Sequence, residues 1–522
     1  MKLSLSMIVK NEERFLRGCL ESVSRMVDEI VIVDTGSTDS TREIADSFGA
    51  RVFEFPWCDD FSAARNESLK HTTGDWILYL DADERISAAY HAKIRKLISG
   101  GKAEAFLLNL NSKIGNKDDA QYHLVAYPRL FRKLKGVHFT GKVHEQITSS
   151  LNELRARIVQ SDVIVDHLGY AQDEEVIFEK ARRNHRLLLE QVERRQNYGY
   201  ALYQLGQTEI ILGEIDKGLA HLHEALAAGG FGKSVEASIY GIIAENLSKK
   251  GDDDAALIAC DKSLAAAPEQ AFARLLKGDI YMKLGKYQES KCAFADAIKH
   301  YEGGNLAGRT TTAIEPVFAP DVLFTKLGRA ASLAGDAETA MLYLGKAARE
   351  KRTPPKVAAY LEVLLRQKLY GEVIDAAREF REFENEDWYL RLVSSAYIDT
   401  GDFAEASKLL ASISGHDMVS LSSLANCRMK TGDLEGCESA FKESIGLGYN
   451  DLEGLELLGL VQFKLLKFRE AVETLSGVYR ADPTNQRVIK FIQAAKAQAG
   501  VQAVAKWQVH APTGLSPEHR GT

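Results

Sequence analysis

The chain has 522 residues, of which 45% are hydrophobic and 27% charged. This length predicts two to four domains at about 100–200 residues each, and the composition excludes a mainly disordered chain. The net charge of −7 argues against a nucleic-acid-binding protein that relies on bulk positive charge. No stretch approaches the roughly 20 consecutive apolar residues of a membrane helix.

The cysteines are scattered, and they form neither a C-x-x-C pair nor a metal-finger spacing. They are Cys19, Cys58, Cys260, Cys292, Cys427 and Cys437. Scattered, reduced cysteines are typical of cytoplasmic proteins. The segment Met1–Val9 is also too short for the apolar core of a secretory signal. The sequence therefore predicts a cytoplasmic protein without a membrane span.

The first 170 residues alternate apolar runs, typical of buried strands, with segments of helical periodicity. The predicted strands are Leu3–Val9, Glu29–Asp34, Arg51–Phe55 and Trp76–Leu80, and the predicted helices are Glu12–Met26, Asp39–Phe48 and Asp60–His71. Strands that alternate with helices indicate parallel βαβ units. An open α/β sheet is therefore expected in this part of the chain.

From about Asp173 onward the chain becomes a series of helical pairs rich in alanine and leucine. The repeat is clearest around Gly251 and Gly285, which lie 34 positions apart. Small residues recur where two helices must approach closely, and this register resembles the tetratricopeptide repeat, whose period is about 34 residues. We predict a connecting helix at 171–197 and about eight repeats, some degenerate, at 198–500.

Two segments depart from this register. Gly303–Pro320 is polar and contains several prolines and glycines, which predicts a loop inserted between two repeats. Residues 501–522 are predicted to form a disordered tail.

Acidic side chains follow two predicted strands, at the sheet edge where open α/β folds bind ligands. Asp34 ends the second strand, and Asp81 and Asp83 directly follow the fourth. Two carboxylates separated by a small residue can turn toward one divalent cation, which prefers oxygen ligands and leaves positions for phosphate. Such a cation neutralises the charge of a diphosphate leaving group. We predict Asp81 and Asp83 as ligands of Mg²⁺ or Mn²⁺, with a solvated acidic loop as the alternative.

The turn after the second strand is a second candidate site. Gly36 permits a tight strand-to-helix turn, and Asp34 can accept hydrogen bonds from a base or a ribose. Asp39 fits equally well as a helix N-cap and as a ligand contact. Arg65 and Asn66 provide donors on the third predicted helix, where an arginine can contact a pyrimidine and balance diphosphate charge.

Four segments resemble, in the same order, the motifs of family 2 glycosyltransferases with the GT-A fold. They are Ser6–Glu13, Val31–Thr41, Asp60–Asn66 and Gly74–Glu84. The resemblance covers about residues 1–170, and a fusion to tetratricopeptide repeats resembles known bacterial arrangements. It implies an inverting, metal-dependent hexosyltransferase that uses a nucleotide-diphospho-sugar donor, usually a UDP-sugar.

The resemblance also implies roles for single residues. Asp34 and Arg65 would contact the nucleotide, and Asp83 would hold the metal. His167 matches, by its order in the chain, a histidine that completes the metal site in several GT-A enzymes; a structural histidine is the alternative. Thr35 departs from the family pattern, since many members have a second aspartate there. The Q-x-x-R-W motif of processive members is absent, which argues against a polysaccharide polymerase.

An inverting transfer needs a general base beside the acceptor. Glu145, in the segment Gly141–Gln146 beyond the metal motif, is the predicted base. His144 could orient Glu145 or do the same work, and a solvated loop is the alternative. Asp162 and Asp166 are weaker candidates for the base.

The repeats predict a concave surface of the kind that binds peptides or partner helices. A protein or peptide acceptor is therefore expected, with dimerisation through the repeats as the alternative. A second class of function is an interaction scaffold whose transferase domain is inactive, but the acidic motif is intact. A nucleotidyltransferase is disfavoured because Lys10–Glu13 is not a glycine-rich loop.

Overall fold

The computed structural model describes residues 1–101, 103–114, 121–168, 174–303, 315–317 and 319–499. The chain divides into two compact units, Met1–Thr339 and Ala340–Thr522, and each is described by itself. The predicted tail at 501–522 and most of the predicted loop after Gly303 lie outside the described residues. The predicted domain boundaries at 170 and 197 stay predictions.

The first unit begins with a mixed β-sheet. Its strands in the described residues are β1 (Leu3–Val9), β2 (Glu29–Asp34), β3 (Arg51–Glu54), β4 (Trp76–Tyr79), β5 (Glu84–Ile86), β6 (Ala105–Ile114), β7 (Gln121–Arg132), β8 (Ile158–His167) and β9 (Glu315–Val317). The strand order is β3-β2-β1-β4-β7-β6-β8-β5, with β9 paired to β7. Strands β1 to β4 are parallel to one another, and β7 is antiparallel to β4 and β6.

Strands β1 to β4 were predictable, whereas the other strands of the sheet, in which β6 and β8 are parallel and the remaining pairs antiparallel, were not. Strands β1 and β2 have the predicted bounds, because β2 contains a continuous apolar run and both strands are buried along nearly their whole length. Pro128 interrupts β7, and a proline normally argues against a central strand. In the structure the β6–β7 register shifts between the pairs Phe106–Leu130 and Leu108–Tyr127, so Pro128 lies at an irregularity of the ladder.

Strand β9 corrects the prediction of a loop at Gly303–Pro320. Strand β4 pairs with β7 only at Leu130–Arg132, so the rest of that edge of β7 is open. Glu315–Val317 pairs there in antiparallel orientation. Part of the segment inserted between two repeats therefore adds a strand to the N-terminal sheet.

Helices cover both faces of the sheet. They are α1 (Leu16–Val23), α2 (Thr41–Ser47), α3 (Phe61–His71), α4 (His91–Ser99) and α5 (Thr148–Glu153). Helices α1, α2 and α4 pack their apolar residues on one face, around Leu5, Ile32 and Leu78. Helices α3 and α5 pack on the other face, around Ile77 and Phe131. This doubly covered sheet confirms the predicted α/β domain.

The remainder of the first unit is helical. Its helices are α6 (Glu174–Glu193), α7 (Tyr198–Ile211), α8 (Ile215–Ala228), α9 (Lys233–Lys250), α10 (Asp253–Ala266), α11 (Phe272–Lys283), α12 (Tyr287–Gly303) and α13 (Pro320–Leu333). Helix α7 packs on α8, α9 on α10 and α11 on α12. A Cβ atom on Gly278 would lie 2.4 Å from the ring of Phe294, so this glycine allows α11 and α12 to approach closely.

The second unit continues the helical pairs. Helix α14 (Ala337–Glu350) spans the boundary between the units, and the helices that follow are α15 (Pro354–Arg366), α16 (Tyr370–Glu379), α17 (Asp387–Thr400), α18 (Phe403–Ala411), α19 (Met418–Thr431), α20 (Leu434–Gly446), α21 (Leu452–Lys464), α22 (Phe468–Ala481) and α23 (Gln486–Gln498). Gly459 again sits where a Cβ atom would collide, here with Leu475 at 2.4 Å. The predicted all-α repeat region is confirmed. Among the described residues, no helix combines the length and apolar character needed to cross a membrane.

Candidate active site

The site lies at the carboxyl ends of the parallel strands. Strands β2 and β4 lie on opposite sides of β1, so successive crossovers leave β1 in opposite directions. Open α/β sheets bind ligands in the crevice outside the strand ends at such a switch point. Asp34 ends β2 and Asp81 follows β4, which places both predicted residues at this crevice.

The two loops on the β1–β2 side are joined by hydrogen bonds. Asp34 is 3% exposed, and its carboxylate accepts hydrogen bonds from the backbone and the hydroxyl of Ser37. The Asp39 carboxylate accepts from the backbone N–H groups of Thr41 at 3.0 Å and Glu13 at 3.2 Å. Both oxygens of Asp39 thus contact the chain itself near the start of α2, although Ser40, not Asp39, occupies the N-cap position.

Two buried arginines bind the Asp81 carboxylate. Arg65 donates to one oxygen at 2.6 Å, and Arg129 donates to the other at 3.2 Å. Burial acts to raise the pKa of Asp81, but the two guanidinium groups hold it well below its ordinary value. Asp81 is therefore an ionised carboxylate whose position is fixed by two donors.

Arg65 also joins the metal motif to the predicted base. Helix α3 begins after Asp60, whose side chain caps it by accepting from the N–H of Ala63 at 3.0 Å. One turn into the helix, Arg65 is 6% exposed and donates through Nε to Oε1 of Glu145. The residue expected to contact the nucleotide is thus buried between Asp81 and Glu145, which lie 64 positions apart in the chain.

Arg129 is a site residue that the sequence analysis missed. It lies on β7, and it donates to Glu84 at 2.5 Å as well as to Asp81. The rings of Tyr79 and Tyr127 lie 4.3 and 5.7 Å from its guanidinium carbon. Arg129 could not be identified from the sequence because β7 was not predicted, and without that strand nothing places Arg129 beside β4.

Glu84 completes a row of alternating charges. It is fully buried, pairs with Arg129, and accepts a hydrogen bond from the backbone of Asp81 at 2.9 Å. Burial raises the pKa of Glu84 above its ordinary value, while Arg129 acts in the opposite direction. These contacts link five side chains in space, in the order Glu84–Arg129–Asp81–Arg65–Glu145, and this group is called the charge network below. Removal of any member leaves a charge with fewer partners.

The second carboxylate of the motif faces a histidine. Oδ2 of Asp83 lies 3.2 Å from Nε2 of His167, and Nδ1 of His167 lies 3.0 Å from the hydroxyl of Ser112. Burial acts to lower the pKa of His167, but the hydrogen bond to Asp83 and nearby carboxylates raise it. Burial and the charge of Asp83 raise the pKa of Glu12 to about 7. Carboxylates therefore crowd this end of the crevice.

No group of three or more His, Cys, Asp or Glu side chains in the described part of the chain is arranged to hold a metal ion. Asp83 and His167, the two predicted ligands that do lie together, can supply two protein ligands. Mg²⁺ commonly binds proteins through one or two carboxylates and completes its coordination with substrate phosphates and water. The donor set fits a cation that arrives with a diphosphate.

The other predicted residues lie at varying distances from the network. His144 precedes Glu145 but is exposed and has a φ of 52°, so it helps to turn the chain. Asn66 binds the backbone of Phe139 through both ends of its amide, at 2.9 and 2.7 Å. Asp162 pairs with Lys93, and Asp166 is exposed and accepts from an asparagine on β6. Neither aspartate belongs to the charge network.

The family comparison agrees with this architecture. Residues 4–152 match the model of glycosyl transferase family 2, and residues 273–299 match that of the tetratricopeptide repeat. The chain therefore carries a family 2 glycosyltransferase domain at residues 4–152, followed by tetratricopeptide repeats. The predicted resemblance is confirmed.

Two curated relatives share part of the chain. The SPbeta prophage-derived glycosyltransferase SunS of Bacillus subtilis (strain 168) is 28% identical over 227 residues, which cover 43% of this chain and 53% of that protein. The TPR repeat-containing protein Synpcc7942_0270 of Synechococcus elongatus is 36% identical over 181 residues, 33% of this chain and 43% of that protein. The chain thus spans about half the length of these relatives, and it is homologous to a glycosyltransferase within that span.

Solved structures resemble the two regions only loosely. The Staphylococcus aureus protein TarS 1–349, in complex with UDP-GlcNAc, has 17% identity and a TM-score of 0.30, and covers 51% of this chain and 91% of its own. MamA has 17% identity and a TM-score of 0.28, and covers 34% and 92%. Scores this low carry no argument about the site.

Proposed function

We propose that the chain is an inverting glycosyltransferase that moves a hexose from a nucleotide-diphospho-sugar, most simply a UDP-sugar, to an acceptor. The observation that carries the proposal is the charge network. It joins Asp81 of the acidic motif to Glu145 of the candidate base segment through the buried Arg65. The family 2 match over residues 4–152 supports the same chemistry.

In this proposal Glu145 is the general base. Arg65 holds Oε1, and Oε2 has no hydrogen bond to any residue that the structure describes. That second oxygen is the atom that would take the proton of the acceptor as its nucleophile attacks the anomeric carbon. A positioned base of this kind contributes about 10²–10⁴-fold to turnover.

The donor diphosphate would lie over the ends of β1 and β4. Asp83 and His167 would hold Mg²⁺ or Mn²⁺ there, with Asp81 fixed beside them. The metal ion would supply Lewis-acid stabilisation of the leaving diphosphate. Asp34 and Asp39 shape the nucleotide side of the crevice through the turn that they order.

The repeats support a protein or peptide acceptor, because stacked helical pairs present an extended surface of the kind that binds peptides. A homodimer formed through the repeats is the competing use of that surface. The cytoplasmic location stays a prediction from the scattered cysteines.

The test is a thermal-shift screen of nucleotide-sugars with Mn²⁺, followed by detection of released nucleotide. A ligand at about 100 times its Kd should stabilise the protein by about 2.7 kcal/mol. Stabilisation and UDP release by at least one UDP-sugar are expected. A protein that binds and cleaves none of the nucleotide-sugars would instead be a scaffold with an inactive domain.

A further inference from the structure

The segment Phe139–Ile147, called the base loop, carries Glu145 between two fixed ends. Backbone hydrogen bonds in both directions between Thr140 and Gln146, at 3.0 and 2.9 Å, close it into a small loop. Gly141 has a φ of 100° within it, a conformation that favours glycine. Such a loop has few internal contacts of its own, so its position depends on what surrounds it.

The catalytic domain holds one side of the base loop. Asn66 of α3 binds the backbone of Phe139 through both ends of its amide. The N–H of Phe61, at the start of α3, donates to the carbonyl of Lys142 at 2.8 Å. Arg65 lies between these two contacts on the same helix and reaches Glu145.

Helices α6 and α7 hold the other side. Val143 is buried in a cluster with Leu187 and Leu188 of α6 and Leu205 of α7. Lys142 forms an ion pair of 2.5 Å with Glu190 of α6. These contacts come from helices that begin after residue 173, beyond the segment that matches the family 2 model.

Helix α7 also lies beside the base loop on its polar side. Tyr200 lines the same small cavity as Gln146 and Gln204, and its hydroxyl accepts a hydrogen bond from Gln204 at 2.9 Å. Gln146 directly follows Glu145, so a shift of α7 would move the residue next to the candidate base. Misplacement of a catalytic group by about 1 Å can cost about 10²-fold in rate.

We propose that α6 and α7 are part of the catalytic centre, with Tyr200 and Leu188 as positioning residues that fix the base loop and hence Glu145. The inference rests on the proposed function for its kinetic consequence, but its structural consequence is independent of any activity. The predicted connecting helix and the first repeat helix then do more than connect two domains. The segment that matches the family 2 model does not include α6 and α7, which contact one side of the base loop.

The test uses four variants of the full chain, in two matched pairs. Tyr200→Phe removes the hydroxyl beside the base loop, and Tyr198→Phe removes a hydroxyl of the same helix that binds Glu224 at 2.5 Å. Leu188→Ala truncates a side chain that is 1% exposed, and Leu189→Ala truncates its neighbour, which is 39% exposed. The conservative tyrosine pair keeps the test valid if Leu188→Ala fails to fold.

Two readouts decide the inference. In hydrogen–deuterium exchange, Tyr200→Phe and Leu188→Ala should speed exchange in peptides that cover Phe139–Ile147, whereas the two controls should match the wild type. In UDP-glucose and UDP-GlcNAc hydrolysis with Mn²⁺, kcat should fall about 10-fold or more with the donor KM unchanged. Exchange and kcat equal to those of the controls would overturn the inference. A wild type that cleaves neither donor would count against the proposed function, and the exchange data alone would then decide the inference.

Discussion

Substitution of Arg65 by methionine tests whether the charge network acts as one energetic unit. Methionine has a similar length but no charge, so Asp81 and Glu145 lose their shared guanidinium. Asp81 keeps Arg129, and its side chain is 37% exposed, so water can compensate part of its loss. The side chain of Glu145 is only 11% exposed, which leaves a largely buried carboxylate without its partner.

The expected loss of stability in Arg65→Met follows from the different exposure of Asp81 and Glu145. Removal of one partner of a buried ion pair typically costs about 3–5 kcal/mol, because the other charge stays uncompensated. Most of this loss should come from Glu145. Arg65→Met combined with Glu145→Gln should therefore lose less than the sum of the two single changes, with a coupling energy of about 1–3 kcal/mol.

The assay is urea unfolding of the fragment 1–335, followed by tryptophan fluorescence. The fragment ends after α13, within the first compact unit, and its tryptophans are Trp57 and Trp76. Trp76 is fully buried in the sheet and reports directly on the catalytic domain. Arg65→Lys is the matched control, since lysine keeps the charge but lacks the fork that binds two carboxylates, and it should lose less stability than Arg65→Met.

A loss below about 1 kcal/mol in Arg65→Met, with fully additive effects in the double variant, would refute this reasoning. The contacts of the buried Arg65 would then contribute as little to stability as those of exposed ion pairs usually do.

Four further predictions concern the site, the fold and the pH dependence of stability. Glu145→Gln should reduce turnover about 10²–10⁴-fold at saturating donor, while the UDP affinity, measured by calorimetry, stays unchanged. A weaker UDP affinity with normal turnover would instead make Glu145 a binding residue. Asp83→Asn should abolish Mn²⁺-dependent UDP binding, and EDTA should do the same to the wild type; full activity of the variant with metal present would remove Asp83 from the site. The fragment 1–335 should keep donor hydrolysis but lose transfer to a polypeptide acceptor. The fragment 1–170, which lacks α6 and α7, should hydrolyse the donor poorly. If fragment 1–335 and the full chain transferred sugar to the acceptor equally well, the result would favour repeats that only mediate dimerisation. Burial opposes ionisation of Glu29, but hydrogen bonds from neighbouring side chains and a backbone amide lower its pKa to about 2. The ionised Glu29 should therefore stabilise the fold above about pH 4.5, and this stabilisation should be lost toward pH 2. In thermal unfolding, Glu29→Gln should be less stable than the wild type at pH 7 but equally stable in acid, and a difference independent of pH would contradict this.

The sequence predicted those parts of the fold that depend on local pattern. Strand β2 is a continuous apolar run ending in Asp34, so both its bounds and the position of its last carboxylate could be predicted. Strand β7 could not, because Pro128 is compatible with a central strand only through a register shift that depends on β6. Arg129 was not identified for the same reason, because it lies on β7.

The site depends on contacts between distant parts of the chain. The acidic motif could be identified, because a strand end and two carboxylates are adjacent in sequence. Nothing local indicates that Arg65 binds Asp81 and Glu145 together instead of facing a nucleotide, since Glu145 lies 80 positions further along the chain. The contact of Leu188 with Val143, and the position of Tyr200 beside the base loop, likewise arise only when the predicted connecting helix and the first repeat helix pack against the catalytic domain.

The central claim is that the charge network is the catalytic site of a sugar transferase. The most direct measurement is UDP release from UDP-glucose and UDP-GlcNAc by the full chain with Mn²⁺, compared between the wild type and Glu145→Gln. The account predicts that the wild type releases UDP from at least one donor, and that the variant binds UDP equally well but releases it at least about 10²-fold more slowly. Equal rates for wild type and variant, or no release from either donor by the wild type, would contradict it.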